Sequence, residues 1–224
     1  MQIYDQLWRE AEQAFKAGEP QIDPNLADKS KDRRRCVTLL LRPSGQVQSR
    51  VKEFSDELAA AFPGQYFYRP EEFHVTVLSI ISGSEFWRNE MRHLAAFRVM
   101  LRGILHRQRA FKLRFRGVTA TPGTVLVQGF PVDDGLAKIR AEIRREFSRS
   151  GFGHTLDRRY TISAAHLTLM RFRQPEADWK QLAARLEANR QTDFGETTVA
   201  ALQLNWGDWY ASADMVRLLE EYRL

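Results

Sequence analysis

The 224-residue sequence contains one cysteine, Cys36, and no long hydrophobic run. A single cysteine cannot form an internal disulfide or build a cysteine-rich metal site, so neither device supports this fold. The longest apolar runs, such as 37–41 and 75–78, fall far short of the roughly 20 residues that a membrane helix needs. We therefore expect a soluble protein with no membrane partner.

The sequence also lacks a glycine-rich phosphate loop, a paired-carboxylate motif and a cluster of metal-ligating residues. No metal or other cofactor is therefore expected. The first ten residues include Asp5, Arg9 and Glu10 where a secretion signal would be apolar, which indicates a cytoplasmic protein. We further expect the chain to act as a monomer.

The composition is that of a globular protein with a slight excess of positive charge. Hydrophobic residues make up 43% and charged residues 28% of the chain, enough apolar material for a real core. Lysine and arginine number 34 against 28 acidic residues, which gives a net charge of +6. This balance favours an anionic partner such as a phosphate-bearing ligand or nucleic acid, although a plain solvated surface explains it equally well.

Hydrophobic periodicity and turn residues predict alternating helices and strands. Residues 1–34 form an N-terminal extension with a helix over 4–17, and 35–224 form a single bilobal domain. Strands are predicted at 35–42, 66–68, 73–81, 111–120, 124–130, 165–172, 197–205 and 215–222, and further helices at 47–62, 84–108, 131–148 and 176–189. The last two strands are joined by an aromatic loop, 206–210.

One unit of this order occurs twice. A strand, a helix and a histidine-bearing strand occur over 37–74 and again over 125–166, each followed by a helix and a hairpin. Such a duplication predicts an α+β fold of two lobes, related by a pseudo-two-fold axis, that face each other across a cleft.

The two histidine-bearing strands carry the same motif. They read His74-Val75-Thr76-Val77 and His166-Leu167-Thr168-Leu169. Because residues i and i+2 of a strand share a face, each histidine and its threonine point the same way. If the duplication brings the strands together, His74 and His166 supply a general base and a general acid, while Thr76 and Thr168 bind phosphate oxygens.

The pair of His-x-Thr-hydrophobic motifs, about 90 residues apart, resembles the 2H phosphoesterase superfamily. Within it the chain is most similar to the RNA 2′,3′-cyclic phosphodiesterases, also called 2′-5′ RNA ligases. The resemblance implies two lobes, each with an antiparallel sheet facing the central cleft and helices outside, and metal-independent chemistry. It also implies RNA ends or a small nucleotide as substrate, and hydrolysis of a 2′,3′-cyclic phosphate or a 2′-5′ linkage.

Three further residues are candidates for substrate binding. Arg171 follows the second motif as in that branch, but strict alternation places it on the face opposite His166 unless the strand ends or bulges there. Tyr68 and Tyr160 precede the two motifs and could stack on a base, although core packing also accounts for them.

Two other functions stay open at this point. The motifs could bind an RNA end or nucleotide phosphate without turnover, or the paired histidines could serve a carbohydrate isomerase. A single His-x-Thr carries no weight, since a lone strand histidine is usually structural. Which histidine is base and which is acid is not fixed by the sequence.

Overall fold

A computed structural model describes residues 2–152, 154–158, 161–176 and 178–224. The strands are β1 (Arg35–Leu41), β2 (Tyr66–Phe67), β3 (Val75–Ser84), β4 (Phe111–Thr121), β5 (Thr124–Pro131), β6 (Leu167–Arg171), β7 (Asp193–Val199), β8 (Ala201–Asp208) and β9 (Arg217–Arg223). The α-helices are α1 (Gln2–Ala17), α2 (Gly45–Ala61), α3 (Arg88–Met91), α4 (Leu94–Leu105), α5 (Gly135–Arg149) and α6 (Trp179–Ala188).

The strands form one antiparallel sheet in the order β7-β4-β5-β6-β3-β1-β8-β9, with β2 paired to β6 beside this path. The halves β7-β4-β5-β6 and β3-β1-β8-β9 meet at one paired position, Val75 against Leu167. Each half is the sheet of one lobe, which confirms the predicted α+β two-lobe fold. The sequence predicts two separate sheets, one in each lobe, and in the structure this single residue pair joins them into one.

The first half of the chain places one strand, and the second half places two, in the sheet of the other lobe. The first repeat runs from β1 to β4, yet β4 pairs with β5 of the second repeat. The second repeat runs from β5 to β9, yet β8 pairs with β1 of the first, and β9 pairs with β8. The two lobes are therefore interlocked by exchanged strands.

Helix α1 packs against the second lobe. Its apolar positions Tyr4, Trp8, Ala11 and Phe15 recur at helical spacing and are buried against β4 and α6. The Phe15 ring stacks on Trp179 of α6 at 5.9 Å. None of the helices in the described ranges is long and apolar enough to cross a membrane.

The predicted helix over 84–108 is wrong in its first third. β3 continues to Ser84, which pairs with Arg35, and the helical residues divide into α3 and α4. The Ser84 hydroxyl accepts a hydrogen bond from the backbone of Phe86 at 3.0 Å, which favours a turn where a helix was expected.

The predicted strand over 197–205 is two strands. β7 pairs with β4 and β8 pairs with β1, so the chain passes from one lobe to the other at Ala200. The buried positions change parity there, from Thr197 and Val199 to Leu202 and Leu204, which marks the break. Trp206, predicted in a loop, lies within β8.

Candidate active site

The two His-x-Thr motifs lie where the lobes meet. β3 and β6 each begin one residue after the motif histidine and pair with each other at one position. In an antiparallel register centred on that position, His74 lies opposite Thr168, and Thr76 lies opposite His166. All four side chains line one pocket of about 130 Å³.

The same pocket is lined by further polar side chains. Tyr68 and Arg171, predicted from the sequence, both belong to it. Tyr160, the third predicted binding residue, lies outside the described residues. Thr38, Ser79 and Asn205 also line the pocket, and they come from neighbouring strands of the first lobe.

Arg171 reaches the pocket because β6 contains a bulge. In the pairing with β5, Thr168 and Met170 occupy successive register positions, so Leu169 is an extra residue. The extra residue changes the alternation, and Arg171 lies on the same side as Thr168. Its Nε donates a hydrogen bond of 2.8 Å to the hydroxyl of Tyr68, which fixes the guanidinium beside the motif residues.

The two imidazoles have different surroundings. Nδ1 of His74 lies 2.7 Å from the carbonyl oxygen of Glu72, so a proton on Nδ1 is donated there and Nε2 is left for the pocket. Nδ1 of His166 is buried and has no hydrogen-bond partner within the part of the chain that the structure describes. Burial lowers the pKa of both imidazoles to about 4, and the positive charge of Arg171 contributes at each.

Arg140 of α5 is hydrogen-bonded to both of the segments that carry the motifs. Its guanidinium donates to the carbonyl oxygens of Thr76 at 3.1 Å and Val77 at 3.0 Å in β3. It also donates to those of Ser163 at 2.7 Å and Ala164 at 2.8 Å, just before His166. The side chain is buried, and burial lowers its pKa to about 10, so it stays charged at neutral pH.

Cations lie beside two aromatic residues of the pocket lining, Trp209 and Tyr210. The Arg34 guanidinium lies 4.9 Å from the ring centre of Trp209. Nζ of Lys29 lies 4.9 Å from the Tyr66 ring and 5.3 Å from the Tyr210 ring. Both of these cations come from the N-terminal extension, which therefore contacts aromatic residues of the pocket lining. Cations near aromatic faces suit an anionic, base-bearing ligand.

Comparison with known proteins identifies the family. The model of the AKAP7 2′5′ RNA ligase-like domain matches residues 37–208, a range that includes both motifs and ends with β8. The chain belongs to the AKAP7 2′5′ RNA ligase-like domain family. This places it in the 2H phosphoesterase superfamily, as the motif resemblance predicts.

Solved structures share the AKAP7 2′5′ RNA ligase-like fold at low sequence identity. TT0787 of Thermus thermophilus superimposes with a TM-score of 0.62 at 16% identity, covering 85% of this chain and 97% of that one. E. coli LigT complexed with 3′-AMP gives a TM-score of 0.55 at 13% identity, covering 85% and 98%. None of the curated protein sequences is significantly similar to the chain.

Arg140 is the main residue of this AKAP7 2′5′ RNA ligase-like site that sequence reasoning missed. A signal exists, because it stands four residues after Leu136 and next to Ile139, on the buried face of α5. A charged residue on the apolar face of a helix indicates a buried ionic or hydrogen-bonding role. Among the described residues, no group of three or more His, Cys, Asp or Glu side chains is placed to hold a metal ion.

The lowered pKa values of the two histidines predict an acid-sensitive fold. The ordinary pKa of a histidine, near 6.5, applies to the unfolded chain, and the value of about 4 applies to the fold. Between these two pH values the unfolded chain binds more protons than the folded one, so the free energy of unfolding falls as the pH drops through this window. We expect each imidazole to account for about 2 kcal/mol of the loss between pH 7 and pH 5. Urea unfolding at both pH values measures it.

His74→Gln and His166→Gln should each remove their share of that pH dependence, because glutamine does not titrate. His106→Gln, at an exposed histidine after α4, is the matched control. An unchanged slope in both pocket variants would contradict the prediction.

Proposed function

We propose that this protein is a metal-independent phosphoesterase that hydrolyses 2′,3′-cyclic phosphates, or cleaves 2′-5′ linkages, on RNA ends or small nucleotides. The observation that supports this most directly is the meeting of β3 and β6. That pairing brings two imidazoles and two hydroxyls into one pocket with Arg171 beside them. All of these side chains come from one chain, so we propose that the monomer is active.

Hydrolysis of the cyclic phosphate requires two proton transfers. A water oxygen attacks phosphorus as one neutral imidazole takes its proton, and the bond from phosphorus to one ribose oxygen breaks. The other imidazole, protonated, gives its proton to that leaving oxygen. Negative charge builds on the non-bridging oxygens, where Thr76, Thr168 and Arg171 stabilise it.

We assign the acid to His74 and the base to His166. The hydrogen bond to the Glu72 carbonyl stabilises the charged form of His74. His166 has no such bond among the described residues, and its pKa is lowered by burial, by His74 and by Arg140. When the pair holds one proton, that proton therefore rests on His74.

Asn205 provides a further contact in this mechanism. Its side chain is 5% exposed and lines the pocket, and Oδ1 lacks a hydrogen-bond partner among the residues that the structure covers. A buried acceptor without a partner is costly, so a substrate hydroxyl that donates to it gains affinity.

Turnover of 2′,3′-cyclic nucleotides in the presence of EDTA tests the proposal. We expect ring opening to a nucleoside monophosphate at an undiminished rate, because the two imidazoles supply both proton transfers. Product is measured by chromatography, with 2′-5′ dinucleotides and cyclic-phosphate-ended RNA assayed in parallel. Val99→Trp, on the exposed face of α4, is a control variant outside the pocket and should hydrolyse the substrate at the rate of the parent. Loss of activity with EDTA that a divalent ion restores would overturn the metal-independent mechanism.

A nucleotide-binding role without turnover is the second candidate. It is favoured by the pKa values near 4, since free protein at neutral pH holds both imidazoles uncharged and lacks a ready acid. The same assay separates the two, because a binder retains cyclic nucleotide unchanged.

A further inference from the structure

A second cavity opens directly beside the motif pocket. This groove, of about 330 Å³, lies between α1 on one side and β5, β6 and residues 161–164 on the other. It shares Ile162, His166, Thr168, Arg171 and Trp209 with the pocket. A ligand held at the histidines can therefore extend into it without leaving the protein surface.

The motif pocket alone is too small to hold a complete nucleotide. Small-molecule sites usually enclose about 300 to 1,000 Å³, whereas the motif pocket encloses about 130 Å³. The pocket has room for a phosphate and part of its sugar, and a complete nucleotide needs further space. The groove supplies that space on the side of His166.

The chemistry of the groove suits an uncharged ring. Ile3, Leu7 and Leu126 provide apolar walls, while its charged and titratable groups within the described residues, Arg171 and His166, stand at the shared end. A nucleobase has an apolar face and a polar edge, which such walls accommodate better than a second phosphate. Hydroxyls of Thr161 and Ser163 line the groove and can bond the polar edge.

The wall formed by α1 is held rigidly in place. The buried Tyr4 hydroxyl donates to the carbonyl of Gly129 at 2.9 Å and accepts from the backbone of Ala165 at 3.2 Å, next to His166. The Asp5 carboxylate pairs with Arg190 at 2.9 Å. Ile3 and Leu7, one helical turn apart, therefore face the groove from a fixed helix.

We propose that this groove binds the nucleobase of a substrate whose phosphate lies between the two histidines, with α1 of the N-terminal extension as its wall. The proposal rests on the proposed function for the position of the phosphate. It adds that the extension contributes directly to substrate affinity, through Ile3 and Leu7.

Filling the groove with tryptophan tests this. Ile3 is 39% exposed, so Ile3→Trp adds bulk without entering the core, and Leu7→Trp is the second variant. Calorimetry measures the binding of adenosine 3′-monophosphate and of inorganic phosphate. Since stacking contributes about 1–3 kcal/mol per base, we expect the parent to bind the nucleotide at least about fivefold more tightly than phosphate. Both variants should lose most of that difference.

Val99→Trp, 64% exposed on α4, is the matched control and should bind the nucleotide like the parent. Equal affinity of the parent for nucleotide and phosphate, or unaltered nucleotide binding in both groove variants, would overturn the proposal. The readout needs no turnover. If the variants lose nucleotide binding while the parent hydrolyses no cyclic phosphate, the groove assignment stands and the phosphoesterase proposal fails.

Discussion

Replacing either motif histidine with alanine should lower kcat for cyclic phosphate hydrolysis by about 10²-fold or more, because each imidazole transfers a proton in the same step. The double variant should be little slower than the slower single variant, since residues that act as a unit are not additive. Thr76→Ala and Thr168→Ala should be milder, because one hydroxyl and Arg171 persist in each. Steady-state kinetics on folded proteins measures all of these changes.

The leaving group distinguishes acid from base. A 2′-deoxynucleoside 3′-(4-nitrophenyl) phosphate has no 2′-hydroxyl to attack phosphorus, so water is the nucleophile, and the departing nitrophenolate needs no proton. On that substrate His74→Ala should recover much of its activity, whereas His166→Ala should stay as impaired as on the cyclic phosphate. The opposite pattern would show that His166 is the acid and His74 the base. Full activity of both variants on every substrate would contradict the two-histidine mechanism.

Arg140→Met should destabilise the fold by about 3 to 5 kcal/mol, because each buried acceptor left without its donor costs about 1 to 3 kcal/mol and several lose theirs together. Four carbonyl oxygens lose their donor at once, on both sides of the junction between the lobes. Arg140→Lys keeps the charge, but an ammonium group has three N–H donors for four carbonyls and lacks the planar spread of the guanidinium, so only part of the loss returns. Urea unfolding at pH 7 gives the free energies.

A positioning role for Arg140 predicts a second effect that stability alone does not produce. Because the charge of Arg140 helps to lower the pKa of His166, Arg140→Met should raise that pKa toward its ordinary value, which NMR titration detects. Arg145→Met, on the exposed side of the same helix, is the control. A variant at 140 as stable as the parent, with an unaltered His166, would show that the guanidinium does not hold the motifs.

The motif histidines and threonines could be predicted from the sequence because their pattern is local and occurs twice. Strand alternation places His74 and Thr76 on one face whatever the rest of the fold does. The lobes follow for the same reason, since repeated order along the chain reflects repeated structure. The fold class needed no information beyond the hydrophobic periods and the motif resemblance.

Features that depend on contacts across the lobes were harder to predict. The bulge that turns Arg171 toward the pocket is visible only in the pairing of β5 with β6. The four acceptors of Arg140 come from segments far apart in sequence. The pKa of each imidazole depends on burial, which the sequence does not give, and in the fold it lies at about 4, well below the ordinary value near 6.5.

The exchanged strands make the two lobes a single cooperative unit. The second lobe receives β4 from the first half of the chain, and the first lobe receives β8 and β9 from the second, so a lobe deprived of these strands would expose the backbone groups of the strands beside the gap. No half of the chain can therefore remain native while the other unfolds. The histidine pair, with one imidazole from each half, is assembled and lost in the same transition as the whole fold, and a partly melted protein with half a site is not a state that this topology populates.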